Sequence, residues 1–183
     1  MAQRYSEISE RLKLFIEAQK MFFVGTASAD SRVNVSPKGM DSLRVLSQNR
    51  VVWLNVTGSG NETSAHVQEL PRMTIMFAAF EGAPMILRLY GTATEITEKN
   101  PAWESLYSLF PPLPGARQIF DMSVDLVQTS CGMAVPLFDY VENRELLSNW
   151  AIKKGNEGIK KYWLEKNQES LDSKPTHIKT KNI

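Results

Sequence analysis

The sequence predicts a mostly β fold of the α+β class, an antiparallel sheet that closes on itself with flanking helices. Three observations carry this reading. Strand-length apolar runs follow one another across tight polar turns. The regular strand–helix alternation that a doubly wound sheet needs is absent. The helical patterns fall at the start, once in the middle, and at the end, so the helices cover a sheet rather than alternate with its strands.

The elements can be justified in order. Ser6 is placed to cap a first helix, in which Ile8, Leu12, Phe15 and Ile16 share one face. Residues 22–27 form a compact apolar strand, 28–31 a turn, and 32–36 a returning strand. In that second strand Val33 and Val35 share one face, Asn34 and Ser36 the other. Residues 43–46 form a short strand, and 51–56 an unbroken apolar strand of the kind buried on both faces. Asn61 is placed to cap a helix that Pro71 ends. Strands follow at 73–80 and 85–96, and Gly91 inside the second predicts a bulge or sharp bend. Residues 101–110 read as a helix with Trp103, Leu106 and Phe110 on one side and Pro101 in its first turn. Residues 111–115 are a rigid proline-rich loop. Residues 119–127 alternate as a half-exposed strand, Met122, Val124 and Leu126 against Asp121, Ser123 and Asp125. The stretch 142–167 reads as two helices split at Gly155, and the polar tail 168–183 as an arm or loose end.

The totals bound the function. The 183 residues suffice for a single domain, 1–183, with a sizeable core. Lysine plus arginine number 21 and acids 20, a net charge of +1. That balance offers nothing to nucleic acid or an anionic membrane. The one cysteine, Cys131, cannot form an internal disulfide, which fits a reducing compartment. No apolar run reaches bilayer-spanning length, and residues 1–20 lack a signal peptide's apolar core. The expectation is a cytoplasmic protein.

Chemistry concentrates between Arg32 and His66. Two strands end in polar segments there, Ser36-Pro37-Lys38-Gly39 and Thr57-Gly58-Ser59-Gly60-Asn61-Glu62-Thr63, and the second runs into a short helix. Backbone N–H groups in a glycine-rich turn and at a helix N-terminus can hold an anion, and Lys38 can add a point charge. The turn lacks the lysine and spacing of a nucleotide P-loop. Glu62 and His66 stand one helical turn apart with no third metal ligand evident, so a helix-surface pair is the better reading.

These motifs, with residues 22–27, 86–91, 114–117 and 130–132, resemble the pyridoxamine 5'-phosphate oxidase-related proteins over residues 21–150. The resemblance implies a split β-barrel of the FMN-binding type, a homodimer, and FMN in a groove at the dimer interface. It implies cofactor contacts from Ser36, Lys38, Asn55, Val56, Thr57, Gly58, Ser59, Asn61 and Thr63. Lys38 would neutralise the phosphate, the hydroxyls and amides of 57–63 would surround it, and the main chain of Asn55 and Val56 would meet the ring edge. The true oxidase's C-terminal arginine–histidine motif is missing, since His177 has no matching arginine. The expected activity is therefore an FMN-dependent oxidoreductase with a small-molecule substrate or electron donor, and not vitamin B6 oxidation. Three alternatives remain open: a non-catalytic flavin carrier or sensor, a barrel holding haem or a deazaflavin, and a structural dimer that has lost its cofactor. Arg88 and Arg117 each have two readings, a pair across the interface or a ligand contact. Cys131 reads as a small packed side chain, and Trp150 and Trp163 as core or dimer contacts.

Overall fold

A computed structural model describes residues 2–183. Its elements are β1 (Gln3–Tyr5), α1 (Glu10–Ala18), β2 (Phe22–Thr26), β3 (Asn34–Lys38), β4 (Leu43–Ser47), β5 (Arg50–Val56), α2 (Glu62–Glu69), β6 (Arg72–Ala78), β7 (Ile86–Ile96), α3 (Trp103–Tyr107), β8 (Ala116–Ser130), α4 (Leu146–Lys166) and α5 (Ile178–Asn182). Eight strands form one antiparallel sheet in the order β3-β2-β6-β7-β8-β5-β4, and β1 also pairs with β8.

The sheet curls until distant strands meet. Phe22 on β2 and Trp53 on β5, four places apart in the strand order, touch edge to face with ring centroids 6.3 Å apart. One buried cluster accordingly joins Leu12 and Ile16 of α1 to Val24, Trp53, Phe77, Leu89 and Phe120 inside the curl. A second cluster lies on the other face of β5, where Val52, Leu54 and Ile119 pack against Trp103, Leu106 and Phe110. This is why β5 reads as continuously apolar, since residues 51–55 are buried on both faces.

Several boundaries differ from the sequence reading. Helix α1 is capped by Ser9, which accepts from the Leu12 N–H; Ser6 lies in a bend ahead of the helix, where the Ile8 N–H donates to the Gln48 carbonyl. Strand β3 runs through Pro37 to Lys38 instead of stopping at Ser36. It is the sheet edge, where a missing N–H costs no ladder bond. Strand β8 is 15 residues long because β7 pairs with its residues 119–130 on one side, while β5 (116–123) and β1 (127–129) share the other. Helix α3 is shorter than expected, yet Phe110 still reaches the core through a turn in which its N–H donates to Tyr107 O.

Gly91 does mark a register shift between β7 and β8. A Cβ there would lie 1.9 Å from the Ser123 carbonyl oxygen. Gly155 (φ 64°) breaks α4 as expected. The tail is not loose: Thr176, Ile178 and Asn182 are buried, and Ile178 packs on Ala151, Ile159 and Trp163. Its charged residues find partners on the β2–β3 turn, α2 and β7. The Lys174 ammonium pairs with Asp30 and Glu69, Asp172 with Arg32, and Lys181 with Glu95.

Candidate functional site

Paired strands present directly opposite residues on one face. In β2–β3 the pairs are Phe22↔Lys38, Val24↔Ser36 and Thr26↔Asn34. Phe22, Val24 and Thr26 face inward, so Asn34, Ser36 and Lys38 do too. In β5–β8 the inward pairs are Trp53↔Phe120 and Asn55↔Gln118. The mouth of the curl is thus lined by Lys38, Ser36, Asn55 and Gln118, joined from α2 by Asn61, whose Oδ1 accepts from Gln118 Nε2 at 2.6 Å. Asn61 occupies the N-cap position of α2 but spends its side chain on Gln118 and makes no cap bond.

Lys38 Nζ lies 5.1 Å above the Trp53 ring, and Trp53 stacks on Phe120. Burial first, and then the charge of Arg117, push the Lys38 pKa down to about 8. Asn55 and Gln118 stand between this ammonium and the loop after β5. Thr57 lies four positions after Trp53, about 13 Å along an extended strand. Lys38 and the loop therefore bound a strip, and do not crowd one point as the sequence suggested.

The loop is held from behind. The β5–β8 register shifts between Asn55 and Val56, which reverses the inward–outward alternation and disturbs the ladder at those two residues. Thr57 consequently turns to α4. Its hydroxyl donates to Gly115 O and accepts from Trp163 Nε1, both at 2.8 Å, so it is not the free ligand donor expected. Asn167 Nδ2 donates to the carbonyls of Gly58 (3.1 Å) and Ser59 (3.3 Å). Arg117 Nη1 donates to Gly60 O (3.1 Å) and Asn167 Oδ1 (2.7 Å). Three successive carbonyls point to this support. In a trans peptide the next N–H points the opposite way, so the amides of Ser59, Gly60 and Asn61 face away from it. Arg117 is buried, which lowers its pKa to about 10. It is not an exposed interface residue: it braces the loop.

Thr63 and His66 form an inner layer. Thr26 Oγ1 lies 3.4 Å from Thr63 Oγ1 and 3.1 Å from His66 Nδ1. Glu62 turns outward and accepts from the Leu171 N–H. Three buried atoms here have no protein partner: His66 Nε2, Gln118 Oε1 and Arg117 Nε. Cys131 is exposed, contrary to its expected packing, because the chain leaves the sheet at Ser130; hydrogen bonding from the Met133 backbone lowers its pKa. Arg88 sits on the outer face of the sheet, with Nη1 3.3 Å from Ser130 Oγ. Trp163 is core, as expected. The sequence reading missed Gln118, Asn167 and the role of Arg117. Gln118 carried a faint signal as a polar residue before Ile119 and Phe120. Asn167, a polar residue at a helix end, carried none.

The curled antiparallel sheet with a braced loop at its mouth defines a split barrel. Residues 8–131 match the family profile described as pyridoxamine 5'-phosphate oxidase. The chain is 34% identical over 189 residues to the pyridoxamine 5'-phosphate oxidase family protein ustO of Aspergillus flavus, covering 93% of this chain and 76% of that one. Among solved structures, a HupZ variant of Group A Streptococcus superposes with a TM-score of 0.53 at 19% identity, covering 67% of this chain and 99% of that one. A proposed pyridoxamine 5'-phosphate oxidase of Lactobacillus delbrueckii gives 0.53 at 18% identity, covering 67% and 94%. The chain belongs to the pyridoxamine 5'-phosphate oxidase family, and the two structures show the same fold. Among the described residues no helix is long and apolar enough to cross a membrane.

Proposed function

We propose that this protein is an FMN-dependent oxidoreductase acting as a cytoplasmic homodimer on a small-molecule substrate or electron donor. One observation carries the reading. A desolvated ammonium, Lys38, faces the same strip as a loop held so that three successive amides turn from their support. Both features favour an anion. The orphaned Gln118 Oε1 between them suits a hydroxyl donor such as those of a ribityl chain. The residues present therefore fit a phosphorylated flavin, with the phosphate at Ser59, Gly60 and Asn61 and the remainder along Gln118 and Asn55 toward Lys38. Bound there, a flavin supplies two-electron redox chemistry. The chain's own residues bind and orient it, and Lys38 places positive charge beside its path. Thr57 contributes through the loop's shape rather than by contact.

An exposed apolar patch on the outer sheet face supports the homodimer reading. Val33 and Val35 are 73% and 63% exposed. With Phe23, Met76, Arg88 and Tyr90 they line an open concavity of about 640 Å³. An apolar sheet face next to a ligand strip is what a twofold partner would cover.

The test is the absorbance spectrum of untreated purified protein, followed by titration with FMN and mixing with NADH or NADPH. Flavin bands that bleach on mixing support the reading. Flavin bands that persist with every donor replace the oxidoreductase with a carrier or sensor. Haem or deazaflavin bands, or a colourless protein that FMN does not stabilise thermally, overturn it.

A further inference from the structure

Asn167 is the last residue before the chain turns into its tail. It is fully buried and uses its whole amide. Nδ2 spans the carbonyls of Gly58 and Ser59, and Oδ1 accepts from Arg117, which itself holds the Gly60 carbonyl. Thr176 Oγ1 clamps the Asn167 backbone carbonyl at 2.6 Å, and Asn182 Nδ2 clamps the Arg117 carbonyl at 2.5 Å. Of this brace, Arg117 lies within residues 8–131 that match the family profile, whereas Asn167, at the end of α4, and the tail residues Thr176 and Asn182 that clamp it lie outside them.

A glycine-flanked loop has two ways to face. Each peptide can rotate with little steric cost where Cβ is absent, and rotation exchanges a carbonyl for an N–H on the ligand side. A carbonyl facing a phosphate repels it; an N–H attracts it. Arg117 cannot make the choice alone, because its Nη1 reaches only Gly60 among the three carbonyls.

We propose that Asn167 is a positioning residue for phosphate binding: by collecting the carbonyls of Gly58 and Ser59 and anchoring Arg117 on that of Gly60, it aims the amides of Ser59, Gly60 and Asn61 at the phosphate of the flavin. The inference rests on the flavin reading above. It assigns to the C-terminal end of α4 the discrimination between the phosphorylated and unphosphorylated forms of one ligand.

The experiment compares FMN with riboflavin, which lacks the phosphate, by titration of flavin fluorescence. The proteins are wild type, Asn167→Ala and the isosteric Asn167→Asp. Asp keeps the volume and the Arg117 partner but turns an acceptor toward the two carbonyls. Both variants are expected to lose about tenfold or more in FMN affinity, the scale of a charge-assisted hydrogen bond, while riboflavin affinity stays within about twofold. Removal of a buried amide can prevent folding, so wild-type amide resonances provide a second readout. FMN should shift Ser59, Gly60 and Asn61 downfield, and riboflavin should not. A merely structural Asn167 would move both ligands together. Wild-type protein that binds FMN no better than riboflavin sinks the underlying flavin-phosphate reading. Wild-type protein that prefers FMN, with variants that keep the preference, overturns the role of Asn167 alone.

Discussion

Lys38 shows how one side chain can be costly to the empty protein and useful to the loaded one. Its ordinary pKa is 10.5, and burial with the Arg117 charge brings it to about 8. Between those values the unfolded chain holds the proton and the folded chain releases it. The empty protein therefore gains stability as pH rises from about 8, and carries the full desolvation cost below it. A hydrogen-bond acceptor at the ring end of a seated flavin reverses the preference by pairing with the charged form. FMN affinity should therefore fall as pH rises through about 8. Lys38→Met should weaken binding by about 1–3 kcal/mol at neutral pH and flatten that fall. Isothermal titration across the range checks both; a mutant with wild-type affinity and the same pH profile contradicts the assignment. Lys38 was legible in the sequence because it closes a strand after Ser36 and Pro37. Asn167 was not. Its meaning comes from partners 109 and 108 residues away, and nothing local distinguishes it from any polar helix end.

Elements were legible where a local pattern was also the structural one. Strand β5 reads apolar on both faces because two cores flank it, and α4 breaks at Gly155 because only a glycine takes φ 64° there without strain. They were misread where a tertiary neighbour overrode the pattern. Pro37 looked like a strand end but sits on the open edge of β3; the polar tail looked loose but finds Arg117 and Glu95 on the sheet and Glu69 on α2. Gly91 is the sharpest local signal. Its missing side chain lets β7 approach the Ser123 carbonyl at the register shift. Gly91→Ala should cost about 1–3 kcal/mol or more, because backbone on both strands must move. Urea unfolding measures this; a change of only a few tenths would show that the strands separate freely at that point.

At the scale of the molecule, the fold class, a sheet closing on itself, followed from turn spacing and the absence of strand–helix alternation, but the side chains that meet across the closure did not. Contacts such as Phe22 with Trp53 are set by the strand order, which no local pattern carries. The outer sheet face was half legible. The alternation of β3 separated Val33 and Val35 from Asn34 and Ser36, yet the apolar pair is the exposed one. In the proposed dimer these outward valines meet the second subunit. Val35→Asp should therefore convert the proposed dimer to monomer in sedimentation while leaving monomer stability within about 0.5 kcal/mol, as for other exposed substitutions. A variant that sediments like wild type removes this face from the interface.

The stacking of Trp53 on Phe120 beneath Lys38 has an optical consequence. Of the four tryptophans, this one is sealed inside the curl and bordered by the strip. Its emission overlaps the absorption of a flavin, so a seated flavin would act as an energy acceptor at close range. The barrel thereby carries an intrinsic lamp beside its own doorway, and occupancy can be followed as that lamp dims without attaching any dye.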